Sequence, residues 1–374
     1  MKKNPIVLSI GMMAWNEEES IGTTLESLFR QSAFEKLCAR HEQCEILVLA
    51  NGCTDRTVAV ARELFDRMER EHPWAEGFTA RVIDIPEPGR NNAWNRFVHE
   101  FSAVEARFIA LMDADIVFHH RDTIYSLIAT LERRPHVCAT SGRQCKDLMF
   151  KERKTFWERM SLATSEMTGT IQGQISGQLY CMRAKVARNL LLPRDLGAND
   201  DGFFKAAICT DFFSRPLDPS RIIMAPDAAH IYEAYISPRD ILNNQKRQMI
   251  GQTSVHVLLQ YLKTLSFDDR ANLAETLRRH ESQDPDWLKR MISDHVRARP
   301  FFWQLFPGIL TFRFKRLLRM SGFRKVTHAP AAMAGFIVTM VACARAHRAL
   351  RAGTTQFWPK PTRQTILSVP QSAK

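Results

Sequence analysis

Short apolar runs alternate with segments of helical periodicity along the first third of the chain. Residues 6–13 are an apolar run of strand length, after which Ile21, Leu25 and Leu28 recur at helical spacing. Asn16 stands where a helix N-cap is expected, and Glu17, Glu18 and Glu19 suit the positive N-terminal end of that helix. A second run, residues 45–50, ends in the turn-forming Asn51-Gly52-Cys53-Thr54-Asp55. It leads into a helix with Val58, Ala61, Leu64, Phe65 and Met68 on its apolar side. A third, residues 81–85, is closed by Pro86 and Pro88-Gly89, and residues 89–95 open a helix that continues past Val98 and Phe101. The fourth run goes straight from Phe108-Ile109-Ala110-Leu111-Met112 into Asp113-Ala114-Asp115. Short apolar runs bounded by turn residues read as strands buried on both faces. Their alternation with helices predicts an α/β fold, a mostly parallel sheet with helices on both faces.

In such a sheet the loops around Asn16, Asn51, Gly89 and Asp113 fall on one C-terminal edge, where open α/β sheets hold their ligands. Residues i and i+2 of a strand point to the same side, so Asp113 and Asp115 are expected to share a divalent cation. Mg²⁺ and Mn²⁺ take oxygen ligands and need only one or two carboxylates beside substrate phosphates. An Asp-rich turn at a strand end is the plain alternative. There is no Gly-x-Gly-x-x-Gly and no Walker lysine motif, so neither a dinucleotide cofactor nor a P-loop is indicated.

Further along, residues 240–257 and 262–296 read as helices, with Asp284-Pro285 as an N-cap followed by proline at the first helical position. Then the character changes. Phe301-Phe302-Trp303 and the alternation of Phe312, Phe314, Leu317 and Leu318 with Arg313, Lys315, Arg316 and Arg319 have the composition of a segment lying in a membrane interface. Residues 329–344 carry no charge but fall short of the roughly 20 residues a span needs; a packed helix is the alternative. The residues from Gly353 onward read as loosely ordered. Charge separates these regions. The net +12 resides in residues 286–374, where 16 Lys/Arg face only Asp286 and Asp294, while the remainder is nearly neutral. A basic, apolar tail attracts an anionic membrane surface. Its apolar content is too high for a groove tracking a nucleic-acid backbone. The eight cysteines show no metal-ligand spacing and read as reduced and cytosolic. The first residues read as a strand, not a signal peptide, because Asn16-Glu17-Glu18-Glu19 follows at once.

Several motifs, in order, resemble those of the family 2 glycosyltransferases, which have the GT-A fold. They are Met13-Ala14-Trp15-Asn16-Glu17, the stretch Ala50-Asn51-Gly52-Cys53-Thr54-Asp55-Arg56-Thr57, Gly89-Arg90-Asn91-Asn92-Ala93-Trp94-Asn95 and Asp113-Ala114-Asp115. Ile175-Ser176-Gly177 and the residues after it resemble the acceptor-side strand, and Asn199-Asp200-Asp201-Gly202 the acidic catalytic motif. Of the family's Gln-x-x-Arg-Trp, only Arg247 is kept, which points away from a processive synthase. Ala50 stands where relatives often carry an acidic base-reading residue, which leaves the nucleotide open.

The resemblance implies a catalytic domain over residues 1–255, while composition and helix signals add a helical extension over 256–300 and a basic, aromatic and apolar tail over 301–374, suited to membrane association. Trp15, Asn16, Glu17, Asn51, Gly52 and Asp55 would hold the nucleoside side of a nucleotide-diphosphate sugar. Gly89, Arg90, Asp113 and Arg247 would face its base or diphosphate, and Gly177 the acceptor. Asp113 and Asp115 would ligate Mn²⁺ or Mg²⁺, and Asp201, with Asp200 second, would be the general base of a single in-line displacement with inversion. The acceptor expected is a lipid-linked or polysaccharide glycan at the inner face of the cell membrane, met through residues 301–350. Bland readings stand beside these: a buried strand-end aromatic for Trp15, turn geometry for Asn51-Gly52, an N-cap for Asp200-Asp201, a solvated face for Arg247 and a structural role for His230. The rival functions are a nucleotide-sugar-binding scaffold with a degenerate site and a nucleotidyltransferase. The second fits poorly with an acidic first loop.

Overall fold

The computed structural model describes residues 4–155, 173–235, 237–306 and 322–356, with a few isolated positions between them. Among these, eight strands form one sheet: β1 (Ile6–Ala14), β2 (Gln43–Asn51), β3 (Phe78–Ile85), β4 (Phe108–Asp113), β5 (Ile116–Phe118), β6 (Ala139–Lys146), β7 (Leu179–Arg183) and β8 (Ile222–Tyr232). The order across the sheet is β3-β2-β1-β4-β7-β6-β8-β5. The first four strands are mutually parallel, with Met13 opposite Asp113 and Ala14 opposite Ala50. Beyond β4 the sheet turns mixed, β7 running antiparallel to both β4 and β6. The parallel half is the one read from the apolar runs.

Those runs are buried on both faces. Leu8, Ile10 and Met12 of β1 face one core with Ile46 and Val48 of β2, while Leu47, Leu49, Ile109 and Leu111 face the other. Glu45 is the buried exception: its carboxylate accepts from the Ser9 hydroxyl and the Ala103 amide. A buried carboxylate needs such donors, since isolation from water is costly.

Among the described residues, the helices between Asp200 and Leu350 pack on the second core, which includes Phe203, Ile250, Val255, Leu288, Ile292, Cys343, Ala346 and Leu350. The boundary expected at residue 255 therefore falls inside a helix, Pro238–Leu262, and cuts no gap in the packing. Helix Phe323–Arg351 runs through Pro330, and its Ala342–Cys343–Ala346–Leu350 face is buried. No helix among the described residues is long and apolar enough to cross a membrane. Most of the aromatic and basic segment 307–321, and all of 357–374, lie outside the described residues.

Three local expectations are corrected. Asn16 is not a helix cap: it has φ 55°, the helix begins at Ile21, and its side-chain oxygen accepts from the Thr54 amide. The helix expected from Pro285 begins at Trp287, because the Asp284 carboxylate takes the Asp286 amide and holds a turn there. Residues 353–356 are not loose. Gly353, at φ 79°, ends helix Phe323–Arg351 with Gly353 N–H bonded to the Leu350 carbonyl and Thr354 N–H to the Ala349 carbonyl. That is a Schellman termination. All eight cysteines are unbridged.

Candidate active site

The four expected loops meet at the C-terminal edge of β1, β2, β3 and β4, and much of their polar chemistry joins them to one another. Asn51 is buried; its amide donates to the Ala14 carbonyl at 2.7 Å, and its side-chain oxygen accepts from the Gly89 amide at 3.1 Å. Gly52, at φ 65°, donates to the Ile85 carbonyl and lies against Pro88. The Asn16 amide meets the Cys53 thiol, and the Glu17 amide donates to the Thr57 hydroxyl at 2.7 Å. The Glu17 carboxylate accepts from Ser20.

Asp55 receives the Thr57 hydroxyl and amide on one oxygen and the Glu18 amide on the other. Burial works against its charge, but these donors outweigh it and hold the carboxyl below its ordinary range. The motif residues of the first two loops thus form a hydrogen-bonded frame. Trp15 is different. It follows β1 directly and is 38% exposed, so it is not a buried strand-end aromatic.

Arg90 joins the two halves of the site. It opens helix Arg90–Arg96. Its Nη1 donates to Asp113 Oδ1 at 2.7 Å, its Nη2 to the Gly177 carbonyl at 2.8 Å, and its Nε lies 3.5 Å from Asp200 Oδ2. Burial disfavours the guanidinium charge, yet Asp113 and Asp200 overcompensate and raise its pKa above the ordinary value. Asp200 is buried, and its Oδ2 makes no hydrogen bond, so Arg90 is what compensates its charge. The floor beneath is aromatic: the Trp94 indole donates to the fully buried Tyr180 hydroxyl at 2.8 Å, and Phe204 packs on both rings. Burial, reinforced by Asp200, pushes the Tyr180 phenol far up, so it stays neutral.

Asp200 and Asp201 begin helix Asp200–Cys209, after Asn199 at φ 147°. The pair is split by environment. Asp200 turns to Arg90, while Asp201 is only partly buried and accepts from the Gly202 amide. Burial, then the Asp200 charge, pushes the Asp201 carboxyl up to about 6. A carboxylate poised near neutral pH is suited to taking a proton.

Asp113 ends β4, and Asp115 lies in the turn beyond it, so the same-face argument for one strand does not hold. The two are held near each other by the turn, both partly exposed, with Tyr235 within electrostatic reach of both. Two hard oxygen donors at a strand end fit Mg²⁺ or Mn²⁺ completed by phosphate oxygens. No group of three or more metal-ligating side chains occurs among the described residues. Arg247 donates to Asn244 and is also felt by Tyr235, which puts it on the same side of the site. His230 is fully buried, burial lowering it to about 3, and its Nε2 lies 3.3 Å from Gln178. That is a structural histidine.

Tyr180, Tyr235, Asn91 and Asn95 were not singled out by sequence. The Asn91 and Asn95 amides donate to the Pro193 and Leu192 carbonyls, and Leu192 N–H returns a bond to Asn95. Only the recurrence of Asn on one turn of the Arg90 helix hinted at this.

The family model for glycosyl transferase family 2 matches residues 9–187. No curated protein matches the chain. Among solved structures it is similar to S. aureus TarS 1-349, at 15% identity over 93% of this chain and 92% of that one, with a TM-score of 0.44. TarS 1-349 has also been solved in complex with UDP-GlcNAc, at 15% identity, 93% and 92% coverage and a TM-score of 0.42. Another similar structure is glucosyl-3-phosphoglycerate synthase from Mycobacterium tuberculosis with Mn²⁺, UDP and phosphoglyceric acid. It is 18% identical over 70% of this chain and 80% of that one, with a TM-score of 0.42. The ordered motifs on one edge of the sheet and the matched family model agree: residues 9–187, just under half of the chain, are similar to the family 2 glycosyltransferases.

Proposed function

We propose that the protein moves one sugar from a nucleotide-diphosphate sugar to a hydroxyl of a glycan or lipid-linked acceptor, with inversion at the anomeric carbon. The observation that carries this reading is the pairing of a poised carboxylate, Asp201, with a cation-bridged donor edge, Arg90 between Asp113 and Asp200. The acceptor oxygen attacks the anomeric carbon as its proton passes to Asp201. The bond from that carbon to the diphosphate breaks, and its electrons go to the leaving phosphate oxygen. One displacement inverts the centre. Trp15 offers an exposed face for the nucleobase, and Arg247 a positive charge on the diphosphate side. Asp113 and Asp115 would hold Mg²⁺ or Mn²⁺, which neutralises charge on a leaving diphosphate.

The acceptor meets the site at an anionic membrane surface in this reading, with the enzyme peripheral on the cytoplasmic side. Met333, Ile337 and Val341 form an exposed apolar stripe opposite the packed face of their helix, and Phe301 and Trp303 are half-exposed. The excess of Lys/Arg in residues 286–374 complements acidic headgroups. Sedimentation with vesicles containing anionic lipid, but not with neutral ones, is the expected result; protein left in solution with both removes the membrane from the proposal.

Calorimetric titration of UDP and GDP, with and without Mn²⁺, tests the donor site. Metal-dependent binding of one nucleotide, lost in Asp115→Ala, supports it. Folded protein that binds neither nucleotide favours a scaffold role instead.

A further inference from the structure

The loop that delivers Asp200 and Asp201 is held from outside the family-matched region. Residues 192 and 193 are tied to the Arg90 helix through Asn95 and Asn91. Residues 194–198, which finish the approach to the carboxylates, take their partners from the C-terminal third. The Arg194 amide donates to Glu281 at 3.3 Å. The Thr355 hydroxyl donates to Asp195 Oδ1, and the Gln356 amide side chain to the Arg194 carbonyl. Both Thr355 and Asp195 are buried.

Two glycines allow this approach. At Gly197, φ 72°, a Cβ would lie 2.8 Å from the Thr355 carbonyl oxygen. At Gly251, on helix Pro238–Leu262, a Cβ would lie 1.3 Å from the Ala198 carbonyl oxygen. The loop is therefore pressed between the segment 354–356 and a bare stretch of helix. The Schellman turn at Ala352-Gly353-Thr354 aims the chain into that position.

We propose that residues 353–356 are a positioning strap, with Thr355 as its key residue, that holds loop 194–199 so that Asp200 reaches Arg90 and Asp201 faces the acceptor. This rests on the reading of Asp201 as the general base. It gives the C-terminal extension a part in catalysis apart from any role at a membrane. Thr355 touches no reacting atom and acts through Asp195 and the loop backbone. Loosening it leaves the donor edge intact, because Asn51, Arg90 and Asp113 are held by other bonds.

The test compares full-length Thr355→Val, which keeps the shape and removes the hydroxyl, with Thr355→Ser, which restores it, and with Gln356→Ala. Hydrogen–deuterium exchange reads loop 194–203 without any ligand; turnover is read as release of UDP or GDP from whichever UDP- or GDP-sugar of a screened panel the native protein consumes. Thr355→Val is expected to speed exchange in 194–203 at least tenfold and to lower kcat at least tenfold, with the donor KM within twofold. The acid limb of its kcat profile moves below the native position as water reaches Asp201. Thr355→Ser returns all three readouts to within threefold of native, and Gln356→Ala has a smaller effect in the same direction. Native exchange in the Thr355→Val loop, or equal loss in the Val and Ser variants, overturns the strap. Asp201→Asn separates the two ideas: if it retains turnover while Thr355→Val loses kcat, the base assignment fails and the strap stands. If it abolishes turnover while Thr355→Val is native, the strap fails alone.

Discussion

The guanidinium of Arg90 is bonded to the carboxylate of Asp113 at 2.7 Å, and the same group faces Asp200 at 3.5 Å. One cation therefore spans the end of β4 and the start of the helix that bears Asp201. The side chains are mostly sheltered, Arg90 at 20% and Asp200 at 10% exposure, so solvent does little to weaken the contact. Removing one partner of a sheltered pair leaves its charge uncompensated.

Arg90→Ala is accordingly expected to destabilise by about 3 kcal/mol, at the lower end for a broken buried pair because Arg90 keeps some solvent. Arg90→Lys keeps the charge but not the fork that reaches Asp113, Gly177 and Asp200 together, and should recover only part of the loss. Thermal melting of the three proteins measures this; equal melting temperatures for the Ala variant and the native protein contradict it.

Asp201→Asn should abolish turnover, a loss of roughly 10²- to 10⁴-fold for a general base, while nucleotide binding by calorimetry stays within twofold. It should also stabilise. The folded pKa of about 6 lies above the ordinary 3.8, so the folded state disfavours the ionised form. The penalty is absent below the unfolded value, grows as pH rises between the two, and is complete above pH 6, at most about 3 kcal/mol. The variant's melting point should therefore exceed the native one at pH 8, with the gain shrinking toward pH 4.

The same poise shapes the pH–rate profile. A base must be deprotonated to accept the acceptor's proton, so kcat is expected to fall tenfold per pH unit below a limb near 6. A limb near 4 would mean that Asp201 is solvated in the working enzyme or is not the base.

Gly251→Ala places a methyl group where the Ala198 carbonyl stands. Overpacking of this kind costs about 1–3 kcal/mol or more, and here the backbone that yields is the one leading to Asp200. A lowered melting temperature with kcat reduced at least tenfold is expected. A fully active variant would show that the helix and the loop separate freely.

Trp15→Ala should leave the melting point unchanged, because the indole is exposed. If a base stacks on it, the loss is about 1–3 kcal/mol, read as a weakening of nucleotide binding by roughly 5- to 150-fold. Unchanged affinity would assign the base to another surface.

The parallel half of the sheet was legible because a strand buried on both faces must be apolar throughout, and β1, β2 and β4 are nearly so. The turn residues after each strand marked the loops that meet on one sheet edge for the same local reason. Legibility stopped at partners. Asn51 and Asp55 read as ligand contacts, but a polar side chain near a loop amide bonds to it first, and each is committed within the frame. Asn91 and Asn95 were passed over because their partners, Pro193 and Leu192, lie about a hundred residues away. Asp115 was assigned to the face of a strand that ends two residues earlier, where β4 gives way to a turn.

By itself the sequence determined the α/β class, the gathering of the motif loops on one sheet edge, the family resemblance and the acidic pair, because hydrophobic periodicity and turn chemistry act over a few residues. The tertiary structure alone decided that Arg90 bridges Asp113 and Asp200, that burial divides Asp200 from Asp201, and that Thr355 reaches back to Asp195. These depend on long-range packing. The charge a carboxylate feels and the donor a carbonyl finds are set by neighbours that the chain brings together only on folding.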